Sequence, residues 1–176
     1  ADEASIETAL AQVARASGRT LDALYNNGAF ACPGAAEDLP RGAWREIFEV
    51  NLFGIRDLTR RVIPGMRAQG HGHIINCSSC LGLVVAPWRA AYSSTKFALE
   101  ALTDTLRIEM RDTNIRVVLL EPGPVTSNIR KNAIPHFEKW IDWENSPRAD
   151  QYRGSLIKRL YETRDKKDLF ELPPEA

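Results

Sequence analysis

Apolar residues follow two different spacings along this chain, and these spacings predict alternating strands and helices. Short apolar runs bounded by turn residues predict strands, and they lie at residues 21–25, 74–77 and 115–120. Apolar positions three and four residues apart predict helices, which cover residues 3–17, 43–50, 52–69, 90–110 and 151–164. This alternation is typical of β-α-β units, so we predict an α/β fold with a doubly wound parallel sheet.

Individual residues refine these elements. Gly18 provides a C-terminal stop for the first helix, and Pro64 should kink helix 52–69 or remove one of its hydrogen bonds. The run 115–120 is mostly β-branched and aliphatic, which predicts a strand covered on both faces. Asn51 falls at the junction of two predicted helices, where its amide would satisfy backbone groups left by a helix break.

Length, charge and cysteine content limit the class of protein. The chain has 176 residues, which suits a single domain spanning 1–176. Its 23 basic and 23 acidic residues leave no net charge that would favour nucleic acid or an anionic membrane. No apolar run approaches the roughly 18 residues of a membrane span. Three cysteines are typical of a reducing compartment, so we expect a cytoplasmic protein with no membrane span.

Two short patterns raise metal or redox chemistry. His71 and His73 alternate in a glycine-rich turn. A zinc site needs three or four protein ligands, and no acidic residue lies close by in sequence, so we assign no metal. Cys77 and Cys80 have the C-x-x-C spacing, but the pair closes a strand instead of opening a helix. We therefore expect one buried strand cysteine and one loop cysteine.

The predicted helix 90–110 carries a pair of residues with a chemical use. Tyr92 and Lys96 are four apart, so on a helix they lie one above the other on the same face. A positive charge favours the phenolate and lowers a pKa that is about 10 in an unperturbed tyrosine. Ser79 precedes Tyr92 by a strand-to-helix loop that would place its hydroxyl beside the phenol. Such a tyrosine can give or take a proton near neutral pH.

Polar or turn-forming pairs follow each predicted strand. They are Asn26-Asn27, Ser78-Ser79 and Pro122-Gly123. The carboxyl ends of parallel strands meet at one edge of a sheet, where ligands of such folds bind. The sequence therefore predicts a site at this edge.

These motifs, in this order, resemble those of the short-chain dehydrogenase/reductase family. The matching positions are Asn26-Asn27-Gly28-Ala29 for the NNAG motif with its last two residues exchanged, Asn51 and Ser79 for the catalytic asparagine and serine, Tyr92 and Lys96 for YxxxK, and Pro122-Gly123 for the PG motif. They span roughly residues 20–130. The stretches EPGPVTSNI and LRIEM resemble the branch of the 17-beta-hydroxysteroid and retinol dehydrogenases.

The resemblance implies a Rossmann-like oxidoreductase that uses NAD or NADP to interconvert a secondary alcohol and a carbonyl. Tyr92 would be the general acid/base, and Lys96 would lower its pKa and bind the nicotinamide ribose. Ser79 would hold the substrate oxygen, and Asn51 would order a relay water. Besides Tyr92 and Lys96, the residues implied to bind the cofactor are Asn27, Gly28, Pro122, Gly123, Val125, Thr126 and Ser127. In the family pattern Asn27 would also tie neighbouring strands together.

The resemblance and the composition also suggest a substrate cover and an assembly. Residues 124–150, rich in proline and aromatic residues, are predicted to form a lid segment over the site. Its aromatic residues, such as Phe137, Trp140 and Trp143, either line a pocket for a lipophilic alcohol (a hydroxysteroid or a retinoid) or pack the lid segment on its own domain. Family members often pair through their two long helices, here 51–69 and 90–110, which implies a homodimer or homotetramer.

One departure from the family favours a second hypothesis. The family holds its dinucleotide with a Gly-rich turn after the first strand, and this sequence has no such turn. The N-terminal β-α-β portion is absent from the chain, which begins with a helix typical of the middle of the fold. The alternative is a non-catalytic, dehydrogenase-like binding or interaction domain. The presence of Asn51, Ser79, Tyr92 and Lys96 together favours the enzyme.

Overall fold

A computed structural model describes residues 2–162, 166–167 and 171–175. Within them, a three-stranded parallel sheet has the order β1-β2-β3. The strands are β1 (Ala23–Asn26), β2 (Gly72–Cys77) and β3 (Ile115–Leu120). Ile74 at the centre pairs with Leu24 on one side and Val117 on the other. The predicted α/β class with a parallel sheet is confirmed.

Helices connect and flank these strands. They are α1 (Glu3–Ser17), α2 (Arg41–Phe48), α3 (Ile55–Gln69), α4 (Ala90–Glu109), α5 (Ile129–Trp140) and the short α6 (Ala149–Gln151). π-Helical turns at Glu49–Gly54 and Tyr152–Glu162 extend α2 and α6. None of the helices in the described part of the chain combines the length and hydropathy that crossing a bilayer requires.

The helix break expected at Asn51 does not occur. α2 continues through the π-helical turn Glu49–Gly54 into α3, so Asn51 lies inside a wider helical turn. α3 also continues past Pro64 to Gln69. A proline in a helix removes one backbone hydrogen bond, and burial of neighbouring side chains such as Val62 offsets that loss.

One face of the sheet packs against α3 and α4. Alternate side chains of a strand point to the same face, and in this chain those side chains form a core with the two helices. The buried members are Leu24, Val62, Met66, Ile74, Met110, Ile115 and Val117. This core fixes the three strands relative to α4.

The opposite face of the sheet is exposed within the described residues. Tyr25, Val118 and Leu120 keep 51%, 43% and 46% of their surface. The prediction that residues 115–120 are covered on both faces is therefore wrong for this chain, because β3 alternates buried and exposed positions. α1 likewise buries none of its residues.

A second core joins α2, α5 and the π-helical segment Tyr152–Glu162. Its largest buried side chains are Ile47, Phe137, Tyr152 and Leu160. Since α5 lies inside the predicted lid segment, part of that segment packs in the core of its own domain.

The C-terminal part differs in detail from the prediction. The helix predicted at 151–164 begins at Ala149 and is mostly π-helical; its residues 163–164 lie outside the described residues. Leu172 forms an isolated parallel bridge with Val125. Residues 169–170 and 176 also lie outside the described residues.

Candidate active site

The edge at the carboxyl ends of the strands brings two of the motifs side by side. Ser78 N donates to Leu120 O at 2.8 Å, and Cys80 N donates to Pro122 O at 3.0 Å. The serine segment after β2 is therefore tied to the Pro122-Gly123 segment after β3. This is the edge at which open parallel sheets bind ligands.

α4 places Tyr92 and Lys96 on one face, as their spacing predicts. Lys96 Nζ lies 5.6 Å from the centre of the Tyr92 ring. Tyr92 is 7% exposed and Lys96 is 2% exposed. The ammonium donates a hydrogen bond to the backbone oxygen of Cys77 at 2.8 Å, which anchors it to the end of β2.

Burial dominates the ionisation of this pair. It raises the pKa of Tyr92 above its ordinary value, while a hydrogen bond with Ser79 acts in the opposite direction. Burial also lowers the pKa of Lys96, against the effects of Cys77 and Glu100. The expectation that Lys96 lowers the pKa of Tyr92 below its ordinary value is not met here, because burial of the phenol outweighs the lowering effects of Ser79 and Arg89 on its pKa. The phenol therefore keeps its proton at neutral pH.

Ser79 lies beside the phenol, at the start of a short 3-10 turn that spans Cys80–Gly82. Its backbone is extended, and its Oγ accepts a hydrogen bond from Leu81 N at 3.2 Å. The same hydroxyl acts on Tyr92 through a hydrogen bond. The hydroxyl also donates a long hydrogen bond to Cys80 Sγ at 4.0 Å, so its proton would have to turn to reach an oxygen placed between Ser79 and the phenol.

Asn51 is fully buried, and its amide joins two parts of the site. Oδ1 accepts from Phe30 N at 3.0 Å, and Nδ2 donates to Phe30 O at 2.9 Å and to Thr95 Oγ1 at 3.3 Å. Thr95 Oγ1 in turn donates to Tyr92 O at 2.7 Å. The amide does satisfy backbone groups, as predicted, but they belong to the loop after β1 and not to a helix break. π-Helical turns such as the one that holds Asn51 occur frequently at functional sites.

The asparagine that ties the strands together is Asn26, not Asn27 as the resemblance implied. Asn26 Nδ2 donates to Asn76 Oδ1 at 2.8 Å and to Thr59 Oγ1 at 3.1 Å. Asn76 Nδ2 donates to Thr103 Oγ1 at 2.9 Å. Because side chains alternate along a strand, Asn26 points into the core and the exposed Asn27 lies just past the strand end.

The predicted cofactor residues after β3 lie mostly on the surface. Pro122 is half-buried, and Gly123, Val125, Thr126 and Ser127 are exposed. Thr126 Oγ1 donates to Glu171 Oε1 at 2.8 Å, and Ser127 Oγ accepts from Ile129 N at 3.4 Å. In the described part of the chain, the hydroxyl of Thr126 is thus hydrogen-bonded to Glu171 near the C-terminus and not to Tyr92.

The edge of the sheet is open beside two of the predicted cofactor residues. Gly28 and Gly123 have no heavy atom within 4 Å of the position that a Cβ would take. Lys96 and Tyr92 supply an ammonium and a phenol at the same edge, which suit ribose hydroxyls. The residues present therefore fit a nicotinamide ribose, while the Gly-rich turn that would hold the pyrophosphate is not in the sequence.

The aromatic residues of the lid segment pack on their own domain. Phe137 is 1% exposed within the second core. Trp140 covers Gly42, where a Cβ would lie 2.5 Å from the indole ring, and its Nε1 donates to Glu46 Oε2 at 3.0 Å. The two alternatives for these side chains were lining a substrate pocket and packing the lid segment on its own domain. Phe137 and Trp140 pack on the domain, and Trp143 is partly buried against the same core.

The histidine and cysteine patterns form other contacts. His71 Nε2 lies 3.1 Å from Asp22 Oδ1. Cys32, Cys77 and Cys80 are all free thiols; Cys77, predicted to be buried, is half-buried at the end of β2. Among the residues that the structure describes, no group of three or more His, Cys, Asp or Glu is arranged to hold a metal ion.

Three participants were not predicted from the sequence. They are the Cys77 carbonyl, which anchors Lys96, and Phe30 and Thr95, which hold Asn51. A backbone carbonyl leaves no mark in the sequence, and Phe30 acts through its backbone. Only Thr95, a polar residue on the buried side of α4, carried a signal.

Comparison with known proteins agrees with this geometry. A family model described as short chain dehydrogenase matches residues 1–137. The uncharacterized oxidoreductase YbbO of Escherichia coli (strain K12) is 37% identical over 128 residues, which cover 73% of this chain and 48% of that protein. Retinol dehydrogenase 8 of Homo sapiens is 37% identical over 107 residues, which cover 61% of this chain and 34% of that protein.

The chain is also similar in structure to a solved dehydrogenase. Gluconate 5-dehydrogenase from Burkholderia cenocepacia, crystallised with NADP and tartrate, superposes with a TM-score of 0.69 and 26% identity over 79% of this chain and 55% of the other. The chain thus spans about half the length of YbbO and of this enzyme, and a third of that of the retinol dehydrogenase. On its fold, its motif order and these matches, the chain belongs to the short-chain dehydrogenase family of oxidoreductases.

Proposed function

We propose that this chain carries the proton-transfer machinery of an NAD(P)-dependent oxidoreductase that interconverts a secondary alcohol and a carbonyl. The observation that carries the proposal is the buried Tyr92, with Ser79 beside its phenol and Lys96 one turn along α4. A buried phenol next to a hydroxyl and an ammonium is suited to exchange a proton with an alcohol oxygen.

In the direction of reduction, Tyr92 donates its phenolic proton to the carbonyl oxygen while a hydride adds to the carbonyl carbon. The C=O π bond breaks, one C–H and one O–H bond form, and a phenolate remains. A bound nicotinamide supplies the hydride and accepts it in the reverse reaction. Ser79 donates a hydrogen bond to the same oxygen, on which negative charge develops in the transition state.

Lys96 and Asn51 support this proton transfer. The Lys96 ammonium, held by Cys77 O at 2.8 Å, stabilises the phenolate that remains after Tyr92 has donated its proton. Asn51 is joined to the Tyr92 turn through Thr95. In the proposed mechanism it orders the water that returns a proton to Tyr92 by way of Lys96.

The proposed cofactor is NAD or NADP, bound over the carboxyl edge of the sheet. The residues we assign to it are Asn27, Gly28, Tyr92, Lys96, Pro122, Gly123, Val125, Thr126 and Ser127. The open space beside Gly28 and Gly123 supports this assignment, and the similar gluconate 5-dehydrogenase was crystallised with NADP. Ser127 is the nearer match for the family residue that touches the nicotinamide carboxamide. Thr126 is the second candidate for that contact and would have to give up its hydrogen bond to Glu171.

The proposed substrate is a lipophilic alcohol, such as a hydroxysteroid or a retinoid. Leu83 and Val84 follow the Ser79 turn and are each 59% exposed, which provides an apolar wall next to the site. The similarity to retinol dehydrogenase 8 supports the same substrate class. Residues 124–150 would form the lid segment over this substrate, with α5 as its fixed base.

We also propose that the protein is a cytoplasmic homodimer or homotetramer that pairs through α3 and α4. Exposed apolar side chains on and near these helices support the assembly: Phe53 (46%), Val85 (77%), Phe97 (43%) and Ile108 (64%). Val85 and Phe97 line a surface groove of about 290 Å³. Sedimentation analysis of the wild type and of Phe97→Glu tests this proposal; only the wild type should sediment as an oligomer.

The alternative is a non-catalytic, dehydrogenase-like binding domain. An assay of the purified protein with a hydroxysteroid, a retinoid and a short secondary alcohol, each with NAD and NADP, separates the two. Turnover, followed by absorbance of the reduced nicotinamide, supports the enzyme. Cofactor binding in a calorimeter with no turnover of any of these alcohols supports the binding domain.

A further inference from the structure

We propose that His136 is a positioning residue for Asn51: its ring holds the Phe30 backbone where the Asn51 amide requires it. The inference rests on the proposed function for its effect on turnover, and on the contacts alone for its effect on Asn51. It makes the orientation of Asn51 depend on the docking of α5 within the lid segment.

The first step is the pairing of Asn51 with Phe30. The side-chain amide of Asn51 binds both backbone groups of Phe30: Oδ1 accepts from Phe30 N at 3.0 Å, and Nδ2 donates to Phe30 O at 2.9 Å. Asn51 is 0% exposed, so water cannot replace a lost partner without opening the structure. The orientation of the Asn51 side chain therefore depends on the position of one loop residue.

The second step is the contact that holds this loop residue. The rings of Phe30 and His136 are stacked, with centroids 3.9 Å apart and planes at 23°. Cys32 Sγ, two residues farther along the same loop, lies 3.7 Å from His136 O. His136 thus touches the loop through both its ring and its backbone.

The third step is the clamp that fixes His136 itself. Glu46 on α2 receives three groups of α5: His136 Nδ1 lies 3.1 Å from Oε1, and Lys139 Nζ and Trp140 Nε1 lie 2.6 and 3.0 Å from Oε2. The hydrogen bond from Lys139 is the main cause that lowers the pKa of Glu46, so the carboxylate is charged at neutral pH. His136 is thus held by Oε1 of this carboxylate, while Lys139 and Trp140 share the other oxygen.

These contacts run from Glu46 through His136 and Phe30 to Asn51, and from there through Thr95 to the turn that carries Tyr92. Of the three α5 groups on Glu46, His136 is the one that stacks on Phe30. Lys139 and Trp140 bind the same carboxylate without that stack, and Trp140 is therefore a matched control on the same helix.

The experiment compares His136→Ala, His136→Phe and Trp140→Phe in the purified protein. Its structural readouts are hydrogen exchange at the Phe30 amide and the NMR shifts of the Asn51 side-chain amide. In His136→Ala we expect Phe30 exchange to accelerate by about tenfold and the Asn51 resonances to move. His136→Phe keeps a stacked ring and should restore both, and Trp140→Phe should leave both unchanged.

The kinetic readout is the split between kcat and the KM for the cofactor. Because misplacing a catalytic group lowers the rate more than binding, we expect His136→Ala to lower kcat by about tenfold with the cofactor KM within about twofold. His136→Phe should recover kcat. If His136 served only overall stability, His136→Ala would lower the melting temperature. It would not lower kcat selectively over the cofactor KM, and His136→Phe would not restore kcat.

Unchanged Phe30 exchange and unchanged Asn51 shifts in a folded His136→Ala protein would overturn the proposal, as would equal effects of Trp140→Phe. If His136→Ala does not fold, Phe30→Leu, which removes the stacked ring and keeps an apolar group, must give the same local changes. If the wild type turns over no alcohol, the proposed function fails on its own, and the exchange and shift data still decide the role of His136.

Discussion

Lys96 and Cys77 are joined across the end of the sheet, with the ammonium Nζ 2.8 Å from the backbone oxygen of Cys77. The carbonyl dipole supplies partial negative charge to a cation that is only 2% exposed. Glu100, one turn farther along α4, also favours the charged form of Lys96. The strand end therefore sets where the positive charge of the site lies.

Replacing Lys96 should change turnover strongly and the free energy of unfolding very little. Burial disfavours the charged form of Lys96 and lowers its pKa, so the native fold pays a desolvation cost for this cation. In Lys96→Met we expect turnover to fall by at least about 10²-fold. We expect the free energy of unfolding to stay within about 1 kcal/mol of the wild type or to rise. The variant loses one hydrogen bond to Cys77 O, but it also no longer bears the desolvation cost of the buried cation.

Denaturant unfolding and steady-state kinetics on the same Lys96→Met preparation check this prediction, with substitution of the exposed Lys131, Lys131→Met, as a control for surface charge. A loss of more than about 2 kcal/mol would mean that Lys96 stabilises the fold and is not held there at a cost.

Asn26 and Asn27 should differ sharply on substitution, although they are adjacent and identical. Asn26→Ala removes two buried hydrogen bonds and leaves Asn76 Oδ1 and Thr59 Oγ1 short of a donor. We expect a loss of about 2–3 kcal/mol of stability. Asn27→Ala, at an exposed position, should change stability by less than about 0.5 kcal/mol. Chemical denaturation of the two variants measures both values, and equal losses would refute the assignment of Asn26 as the residue that ties the strands.

Stability should fall in alkaline solution because of Tyr152. Burial, together with the bond from its hydroxyl to Asp38 Oδ2 at 2.8 Å, raises the pKa of Tyr152 to about 12. The unfolded chain ionises near pH 10, so this stabilisation is fully present below pH 10 and is lost as the pH rises towards 12. Tyr161, also raised to about 12, contributes in the same range.

The free energy of unfolding between pH 9 and 12 measures this effect. Tyr152→Phe should reduce the slope in that range by up to about 1.4 kcal/mol per pH unit. An unchanged slope would show that the phenol ionises equally in the folded and the unfolded chain.

The sequence predicted the features that depend on local patterns. The three apolar runs became strands, and the four-residue spacing of Tyr92 and Lys96 became a shared helix face, because both follow from the geometry of one element. The placement of Ser79 beside Tyr92 followed from the strand-to-helix loop that joins them, and that of Ser79 near Pro122 from the rule that parallel strands end at one edge. These predictions required no knowledge of distant contacts.

The features that were missed depend on contacts between elements. The partner of Lys96 is a backbone carbonyl, so no side chain of β2 indicates it. Asn26 and Asn27 are equivalent in sequence, and only the side to which the strand points distinguishes them. The continuous helix through Asn51 depends on the loop at Phe30 that binds its amide, far from it in sequence.

The pKa of Tyr92, predicted to be lowered, is raised for a related reason. From the sequence, only the charge four residues away is visible, and that charge lowers the pKa of a phenol. The depth at which the fold buries the ring, which raises it, is a property of the whole domain. The net direction therefore required the structure.

The substitution Tyr92→Phe tests the central claim most directly. It removes the phenolic oxygen and keeps the ring that packs in the core, so the fold and the binding of NAD(P) should be maintained. The account predicts that turnover of the best alcohol falls by about 10²–10⁴-fold, the usual contribution of a general acid/base, with the cofactor Kd within about threefold of the wild type. Turnover close to the wild-type value in a folded Tyr92→Phe protein would contradict it.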